Sequence, residues 1–318
     1  MARITIVTPA RAGARNGNRH TAERWAGFLR ALGHRVSVVL HWDGEACDLL
    51  LALHARRSAP SIAAFRRRFP RKPLVVTLTG TDLYRDLPKS RRARQSMRMA
   101  DRLIVLQEDA LRLLDPVSRR KARIVYQSAD PSMHYSPPKK PFRIAVVGHL
   151  REEKDPFRTA LALSHLDQGL EVLQIGDALS PAMKSKALAL MKRDRRYRWL
   201  GGRTHAQALR WIARSHMLVL SSAMEGGANV ISEAARIGTP VIASRISGNV
   251  GMLGRNYPGY FPLFDEKALA GSIARAFQDR RTYRSLKRAL VLRRGLFAPA
   301  AERAALGHVL REALAGKA

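Results

Sequence analysis

The sequence predicts an α/β protein of two doubly wound domains, each built on a parallel sheet. Short apolar runs alternate with helical patterns along most of the chain, which is typical of parallel sheets covered by helices. A segment rich in proline and charge, residues 129–141, separates two series of such runs, as a linker would. The chain has 318 residues, which is enough for two domains of this kind.

Each predicted strand is a short, mostly apolar run that lies between turn residues or helical patterns. A helix is predicted to begin near Thr21, a candidate N-cap, and to end at Gly33. Another is predicted to begin around Pro60, because proline suits a first helical turn. The predicted strands lie at residues 4–8, 35–40, 49–53, 74–78, 102–106, 123–126, 142–147, 171–175, 217–220 and 241–244.

The charge of the chain is strongly positive. The 57 Lys and Arg residues against 25 Asp and Glu residues give a formal net charge of +32. Such a field raises the local concentration of anionic substrates. The aromatic content is 6%, and no zinc-ligand spacing is present, so the sequence favours no nucleic-acid partner.

Several features of the sequence predict a cytoplasmic protein. The single cysteine, Cys47, excludes an internal disulfide and fits a reducing compartment. The first seven residues read as a strand rather than as a signal peptide. No uninterrupted apolar stretch approaches the ~20 residues of a membrane helix. We therefore expect no stable membrane insertion.

A glycine-rich turn within residues 221–233 lies between two predicted buried strands. Gly226 and Gly227 have no Cβ atom, so a ligand can lie against the backbone there. Ala228 and Asn229 follow and are expected to open a helix, whose free N–H groups favour a phosphate. In an open α/β sheet such a turn, at the carboxyl end of a strand, is where ligands bind.

Two carboxylates, Glu225 and Glu233, flank this turn. Either alone fits a plain interaction with the helix dipole. The pair around two glycines fits that interpretation poorly, and a carboxylate would repel a phosphate. We therefore expect Glu233 to accept a hydrogen bond from a ribose and Glu225 to accept one from a sugar ring.

The loop that follows the strand at residues 142–147 carries basic residues. Arg151 and Lys154 are placed to neutralise a diphosphate leaving group in place of a metal ion. The alternative is a solvated loop with local ion pairs. The position of the loop favours the first interpretation, so neither a metal ion nor a cofactor is predicted.

The loop after the first strand, residues 9–20, is long and cationic. It carries Arg15, Gly17, Asn18, Arg19 and His20 and leads into a helix N-terminus, which suits an anion. A flexible, solvated turn is the alternative. The position of the loop at a strand's carboxyl end favours an acceptor site.

A polar turn also follows the fourth predicted strand. Thr79, Gly80, Thr81 and Asp82 bring hydroxyls and a carboxylate that could bind sugar hydroxyls or orient a nucleophile. Equally, Asp82 could be a plain helix cap.

Two basic runs, residues 65–72 and 89–94, have no assigned chemistry. Most such runs are solvated faces, and contact with a membrane surface is the alternative.

The motif from Glu225 to Ser244 resembles the nucleotide-sugar site of family-4 GT-B glycosyltransferases. It joins Glu-x7-Glu to an Ala-Ala dipeptide and to the run Gly-Thr-Pro-Val-Ile-Ala-Ser. The resemblance implies two Rossmann-like domains that face each other across a cleft, with the C-terminal helix returning to the first domain. It also implies that Glu225 contacts the donor sugar and Glu233 the ribose.

The same resemblance extends to two further loops. Lys154 falls on the family's lysine, whereas His149 occupies the usual arginine position and Arg151 would substitute for that arginine. Gly202 and Arg203 fall where the family holds the uracil ring.

A narrower resemblance covers residues 1 to about 260. The segments at residues 16–26, 78–86 and 148–156 resemble those of selenosugar synthases of selenoneine biosynthesis. This implies UDP-glucose or UDP-N-acetylglucosamine as the donor, selenophosphate as the acceptor and a 1-selenosugar as the product. The expected catalytic residues are Lys154, Glu225 and His20.

The proline-rich segment and the resemblance together give the expected domains. Residues 1–138 would form the acceptor domain, residues 139–296 the nucleotide-sugar domain, and residues 297–318 a helix on the first domain. The alternative function is transfer to a lipid or polysaccharide hydroxyl at a membrane surface, which the basic runs favour.

Overall fold

The computed structural model describes residues 1–11, 13 and 17–316, in two compact units. Unit 1 comprises Met1–Gln127 and the residues from Pro299 onward, and unit 2 comprises Ser128–Ala298. The sequence places these boundaries at residues 138 and 296 instead. The proline-rich segment lies within unit 2 because its backbone is bonded there. The N–H of Ala129 donates to the carbonyl of Phe297 (3.1 Å), and that of Ser136 donates to the carbonyl of Ala213 (2.8 Å).

The core of unit 1 is a six-stranded sheet in the order β2-β1-β3-β4-β5-β6, with every pair parallel. Apolar clusters cover both of its faces, so its central strands are buried on two sides and are apolar throughout. The strands are β1 Arg3–Val7, β2 Arg35–Val39, β3 Leu49–Leu53, β4 Leu74–Leu78, β5 Arg102–Val105 and β6 Ala122–Ile124. The helices are α1 Gly17–Ala31, α2 Ala59–Arg68, α3 Arg91–Met99 and α4 Pro116–Lys121.

Unit 2 contains a second parallel sheet in the order β12-β11-β10-β7-β8-β9. Its strands are β7 Phe142–Val147, β8 Leu170–Ile175, β9 Tyr197–Trp199, β10 Met217–Leu220, β11 Val241–Ser244 and β12 Tyr260–Phe261. Its helices are α5 Arg158–Ala162, α6 Pro181–Arg193, α7 His205–Ala213, α8 Asn229–Ile237, α9 Ser247–Leu253, α10 Glu266–Gln278 and α11 Arg280–Arg293. The predicted doubly wound α/β class is confirmed.

The last helix, α12 (Pro299–Ala315), belongs to unit 1 and contacts α1, β4 and β5. Glu302 is buried at this contact, where its carboxylate accepts from Trp25 Nε1 (2.6 Å) and pairs with Arg24 (2.9 Å). A buried carboxylate is stable only with such partners. The return of the C-terminal helix to the first unit therefore rests on a specific polar contact as well as on apolar packing.

The predicted start of the first helix is wrong. Helix α1 begins at Gly17, so Thr21 lies inside it and is not its N-cap. The Thr21 hydroxyl donates to the carbonyl of Gly17 (2.8 Å) and accepts from the side-chain amide of Gln127. The Gln127 amide, 106 positions away, therefore shares the hydroxyl that the sequence assigns to a cap.

The predicted start of the helix around Pro60 holds, because Ser58 precedes α2 and proline lies in its first turn. Helix α8 ends at Gly238, which lies in the left-handed region with φ 97°. Within the described residues, no helix is both long enough and apolar enough to cross a bilayer.

Candidate functional site

In unit 2, two loops meet at the carboxyl ends of β7 and β10, which are neighbours in the sheet. After β7 the chain forms a short 3₁₀ turn, Glu152–Lys154, and after β10 it enters the glycine-rich turn. The N–H of Ala223 donates to the carbonyl of Glu153 (2.9 Å), and the Ser221 hydroxyl donates to the carbonyl of Asp155 (2.7 Å). These bonds hold the two loops together, so residues 70 positions apart in the chain share one site.

The centre of this site is an ion pair between Lys154 and Glu225. Lys154 Nζ lies 2.5 Å from Glu225 Oε1, and the Ser222 hydroxyl donates to the same oxygen at 2.6 Å. Among the described residues nothing donates to Oε2, which leaves that oxygen for a ligand hydroxyl. The sequence names both residues but does not predict that they contact each other.

Gly248, near the start of α9, determines where Glu225 lies. A Cβ atom at Gly248 would come within 2.0 Å of the Glu225 carbonyl oxygen and 2.9 Å of its Cβ atom. Only glycine permits this approach. Gly248 therefore packs directly against the Glu225 backbone.

Helix α8 presents an uncapped N-terminus beside the two glycines. Ala228 is its N-cap residue and no side chain caps it. The Oδ1 atom of Asn229, in the first turn, is buried and has no partner among the described residues. Gly226 is buried and Gly227 half-buried. The turn therefore has the open N–H groups expected of an anion site.

Glu233 lies one turn further along α8 and is paired with a residue that the sequence did not single out. His205 Nε2 lies 2.8 Å from Glu233 Oε1; 69% of the His205 side chain is exposed against 12% for Glu233. His205 is the first residue of α7 and follows the N-cap Thr204, which forms a capping box with Gln207. The contact with His205 holds Oε1 of Glu233 in place and so orients Oε2 of the same carboxylate.

Asp177, at the carboxyl end of β8, is a second residue that the sequence missed. A Cβ atom at Gly202 would lie 2.0 Å from Asp177 Oδ1, so the carboxylate lies directly against this glycine. His149 Nδ1 accepts from the Asp177 N–H at 3.2 Å. The only sequence signal for Asp177 is a polar residue placed just after a buried strand.

Two predicted donor residues remain at the surface. Arg203 is exposed, and its guanidinium donates to the carbonyl of Gly202 (2.9 Å). Arg151 is exposed at the start of the 3₁₀ turn that ends with Lys154. Lys154 is thus the half-buried cation of this loop, and Arg151 is accessible to a ligand from solvent.

In unit 1, the end of the predicted acceptor loop is helical. Gly17, Asn18, Arg19 and His20 form the first turn of α1, with His20 exposed. The Arg19 guanidinium pairs with Glu23 one turn later (2.6 Å), so a carboxylate shares its charge. Arg15 lies outside the described residues.

Asp82 is buried and its two oxygens are occupied. Oδ1 accepts from the N–H groups of Thr79 (2.8 Å) and Gly80 (2.9 Å), and Oδ2 accepts from that of Ala55 (2.9 Å). This arrangement favours the structural alternative, in which Asp82 shapes the turn. Gly80 is buried, whereas Thr79 and Thr81 are half-buried, so the two threonines are the partly accessible residues of the turn.

His54, which no sequence pattern marks, supports the same turn. It is buried at the end of β3 with φ 73°, a region that non-glycine residues rarely adopt. Nε2 lies 3.1 Å from the Thr81 hydroxyl, and Nδ1 accepts from the N–H of Arg57 (3.3 Å). Burial lowers the pKa of the imidazole, and the carboxylate of Asp82 opposes that shift.

The lowered pKa of His54 predicts a loss of stability in acid. The unfolded chain takes up a proton below its ordinary pKa of about 6.5, whereas folded His54 resists protonation until lower pH. The free energy of unfolding should therefore fall as the pH drops below about 6.5. In His54→Asn, where asparagine tolerates the left-handed backbone, the difference in denaturant midpoint between neutral and mildly acidic buffer should shrink.

The exposed residue His41 provides the control for this measurement. His41→Asn should keep the wild-type dependence on pH. An unchanged pH dependence in His54→Asn would contradict the contribution assigned to His54. Burial also lowers the pKa values of His34 and His216. These two histidines should therefore leave some dependence of stability on pH in both variants.

Comparison with known proteins gives a family match within unit 2 and identifies the fold. Residues 134–290, which lie within unit 2, match the family model for glycosyl transferases group 1. A comparison with curated protein sequences gave no match.

Three solved structures illustrate the similarity of the fold. Anabaena Alr3699/HepE in complex with UDP superposes with a TM-score of 0.80 and 14% identity, covering 98% of this chain and 100% of that one. Sucrose-phosphate synthase from Thermosynechococcus elongatus superposes with a TM-score of 0.80 and 18% identity, covering 99% of this chain and 99% of that one. The apo form of the lipopolysaccharide outer core galactosyltransferase WaaB superposes with a TM-score of 0.73 and 14% identity, covering 98% of this chain and 99% of that one. The chain therefore has the GT-B fold.

Proposed function

We propose that this protein transfers a glycosyl group from a UDP-sugar to selenophosphate and so forms a 1-selenosugar. The observation that carries the donor half of the proposal is the Lys154–Glu225 ion pair beside the uncapped N-terminus of α8. It combines a cation, open N–H groups and a carboxylate oxygen in one site, which are the groups needed for a diphosphate and for sugar hydroxyls.

The donor contacts follow from this arrangement. The helix N–H groups and Lys154 would hold the diphosphate, with Arg151 reaching it from the surface. Glu225 Oε2 would accept from the sugar ring, and the second oxygen of Glu233 would accept from the ribose. Gly202 and Arg203 would hold the base. HepE, a relative in fold, has been crystallised with UDP and with UDP-glucose, and this supports the choice of nucleotide.

The proposed reaction breaks the bond between C1 of the sugar and the β-phosphate oxygen and forms a bond between C1 and selenium. Charge builds up on the departing UDP, and Lys154 with the α8 N-terminus would stabilise it. Selenophosphate is already an anionic nucleophile, so a strong general base is less necessary than for an alcohol. Water then cleaves the selenium–phosphorus bond, which gives the selenosugar, UDP and phosphate.

The acceptor half rests on the resemblance of three segments to selenosugar synthases and on the cationic character of unit 1. Arg15, Arg19 and His20 would attract the selenophosphate anion, and Thr79, Gly80 and Thr81 would position it. A neutral alcohol does not require this charge.

Removing the Glu233 carboxylate should weaken donor binding. Glu233→Ala should raise the dissociation constant for UDP, measured by titration calorimetry, roughly 5–150-fold, because a hydrogen bond to a charged group contributes about 1–3 kcal/mol. Glu171→Ala, which removes a carboxylate from β8 that pairs with Arg143, should bind UDP as the wild type does. Unchanged affinity in Glu233→Ala would remove Glu233 from the site.

A further inference from the structure

Residues 56–100 of unit 1 carry an unusually concentrated positive charge. This segment contains thirteen Arg and Lys residues and two carboxylates, Asp82 and Asp86. Both carboxylates are buried, and Asp86 pairs with Arg56 at 2.9 Å. The two negative charges are therefore buried in the unit, whereas most of the arginine side chains of this segment are exposed at its surface.

Helix α3 carries the densest part of this charge. Arg91, Arg94 and Arg98 recur at intervals of three and four, so they share one exposed face, while Ala93 and Met97 are buried beneath it. No ion pair between described residues involves these three arginines. A solvated helix face commonly carries both positive and negative side chains, whereas the charged side chains on this face are all positive.

Two concavities adjoin on this face. The first, about 360 Å³ in volume, is lined by Arg91, Arg94, Gln95 and Arg98. The second, about 310 Å³, lies between α2 and α3. Its apolar lining comes from Ala59, Pro60, Ala63 and Met99, with Arg92 and Gln95 at its polar side. Gln95 lines both, so a cationic hollow lies directly beside a largely apolar groove.

We propose that this face of α2 and α3 binds the headgroups of an anionic phospholipid bilayer. The guanidinium groups match phosphate oxygens, which arginine binds in a bidentate manner. The adjacent groove matches the glycerol and upper acyl region that follows the phosphate in a phospholipid. None of the residues that line the two concavities is a proposed reaction residue, so the inference does not depend on the identity of the acceptor.

The surrounding surface favours a bilayer over a single-stranded nucleic acid. Bases need exposed aromatic rings on which to stack. The exposed large apolar side chains of unit 1, among its described residues, are Met1, Leu32, Leu113 and Val117, and none is aromatic. One of these exposed apolar residues, Val117, lies on α4, which is joined to α3 because Lys121 of α4 donates to carbonyls at the end of α3.

Flotation of the full chain with lipid vesicles tests this inference. The wild type should float with vesicles of phosphatidylcholine mixed with phosphatidylglycerol, and high salt should release it. It should not float with phosphatidylcholine alone. In the triple variant Arg91→Gln, Arg94→Gln, Arg98→Gln the partition coefficient should fall on the order of 100-fold, because each basic residue near an anionic surface contributes about 1 kcal/mol.

A matched control removes the same charge elsewhere. Arg281, Arg284 and Arg288 of α11 are exposed with the same spacing. Their triple substitution by glutamine should change partition by less than about fivefold, since these arginines belong to unit 2 and not to the proposed binding face. Thermal denaturation of both triple variants shows whether each is folded, and release of UDP from the UDP-sugar donor should be unchanged in both.

Competition separates the lipid from free phosphate. A short-chain phosphatidylglycerol should displace the protein from vesicles at concentrations where inorganic phosphate does not. Three results would overturn the inference: no flotation with anionic vesicles, equal loss in the two triple variants, or displacement by phosphate at the same concentration as by the lipid. Tighter binding to single-stranded RNA, lost in the α3 variant, would assign the face to nucleic acid instead.

Discussion

Replacing Lys154 with methionine is expected to lower kcat/KM roughly 10²–10³-fold, the loss typical when one group that stabilises developing charge is removed. Methionine keeps most of the length of the side chain, so the change removes mainly the charge. Lys154 Nζ lies 2.5 Å from Glu225, and its other N–H groups are available to a phosphate. Steady-state kinetics with the UDP-sugar measures the effect.

Loss of stability could mimic this result, because Lys154→Met leaves the Glu225 carboxylate with Ser222 as its remaining donor. The double variant Lys154→Met, Glu225→Gln removes both charges. It should recover stability relative to Lys154→Met and remain inactive. Lys192→Met, at an exposed position on α6, should behave as wild type. Activity of Lys154→Met within threefold of wild type would exclude a role for this cation in the reaction.

Adding one methyl group at Gly248 is expected to lower kcat/KM about 100-fold, although Gly248 need not contact a substrate. The new Cβ atom would lie 2.0 Å from the Glu225 carbonyl oxygen, so the backbone must shift by an appreciable fraction of an ångström or more. A misplacement of about 1 Å in a catalytic site can cost 10²-fold. Kinetic measurement on Gly248→Ala, together with its thermal midpoint, tests this geometry.

Gly27→Ala is the matched control for that variant. Gly27 also lies in a helix, but a Cβ atom there would meet nothing within 4 Å. This substitution should stabilise the protein slightly, because alanine is the better helix former, and should leave activity unchanged. If Gly248→Ala and Gly27→Ala had the same kinetics, the close packing at Glu225 would not matter for the reaction.

The sequence predicted the strands well because apolar runs are a local signal. Strands β3, β4 and β7 have the predicted bounds, since buried parallel strands are apolar along their whole length. The N-terminus of α1 was predicted wrongly because the partner of Thr21, the Gln127 amide, is distant in the chain. A local pattern cannot include such a partner.

The site was predictable where residue type alone indicates chemistry. Glu225, Glu233 and Lys154 stand out by type and by position after strands. Their pairing with one another or with His205 depends on the order of strands in the sheet, which local patterns do not specify. His54 and Asp177 escaped notice for the same reason, because their partners follow other strands of the same sheet.

The most direct test of the proposed reaction is mass spectrometry of its products. Purified protein is incubated with UDP-glucose or UDP-N-acetylglucosamine and with either selenophosphate or simple alcohols. We expect a hexose-derived product that carries the selenium isotope pattern, formed in equal amount to UDP. A product formed only with alcohols, and no selenium-containing sugar from either donor, would contradict it.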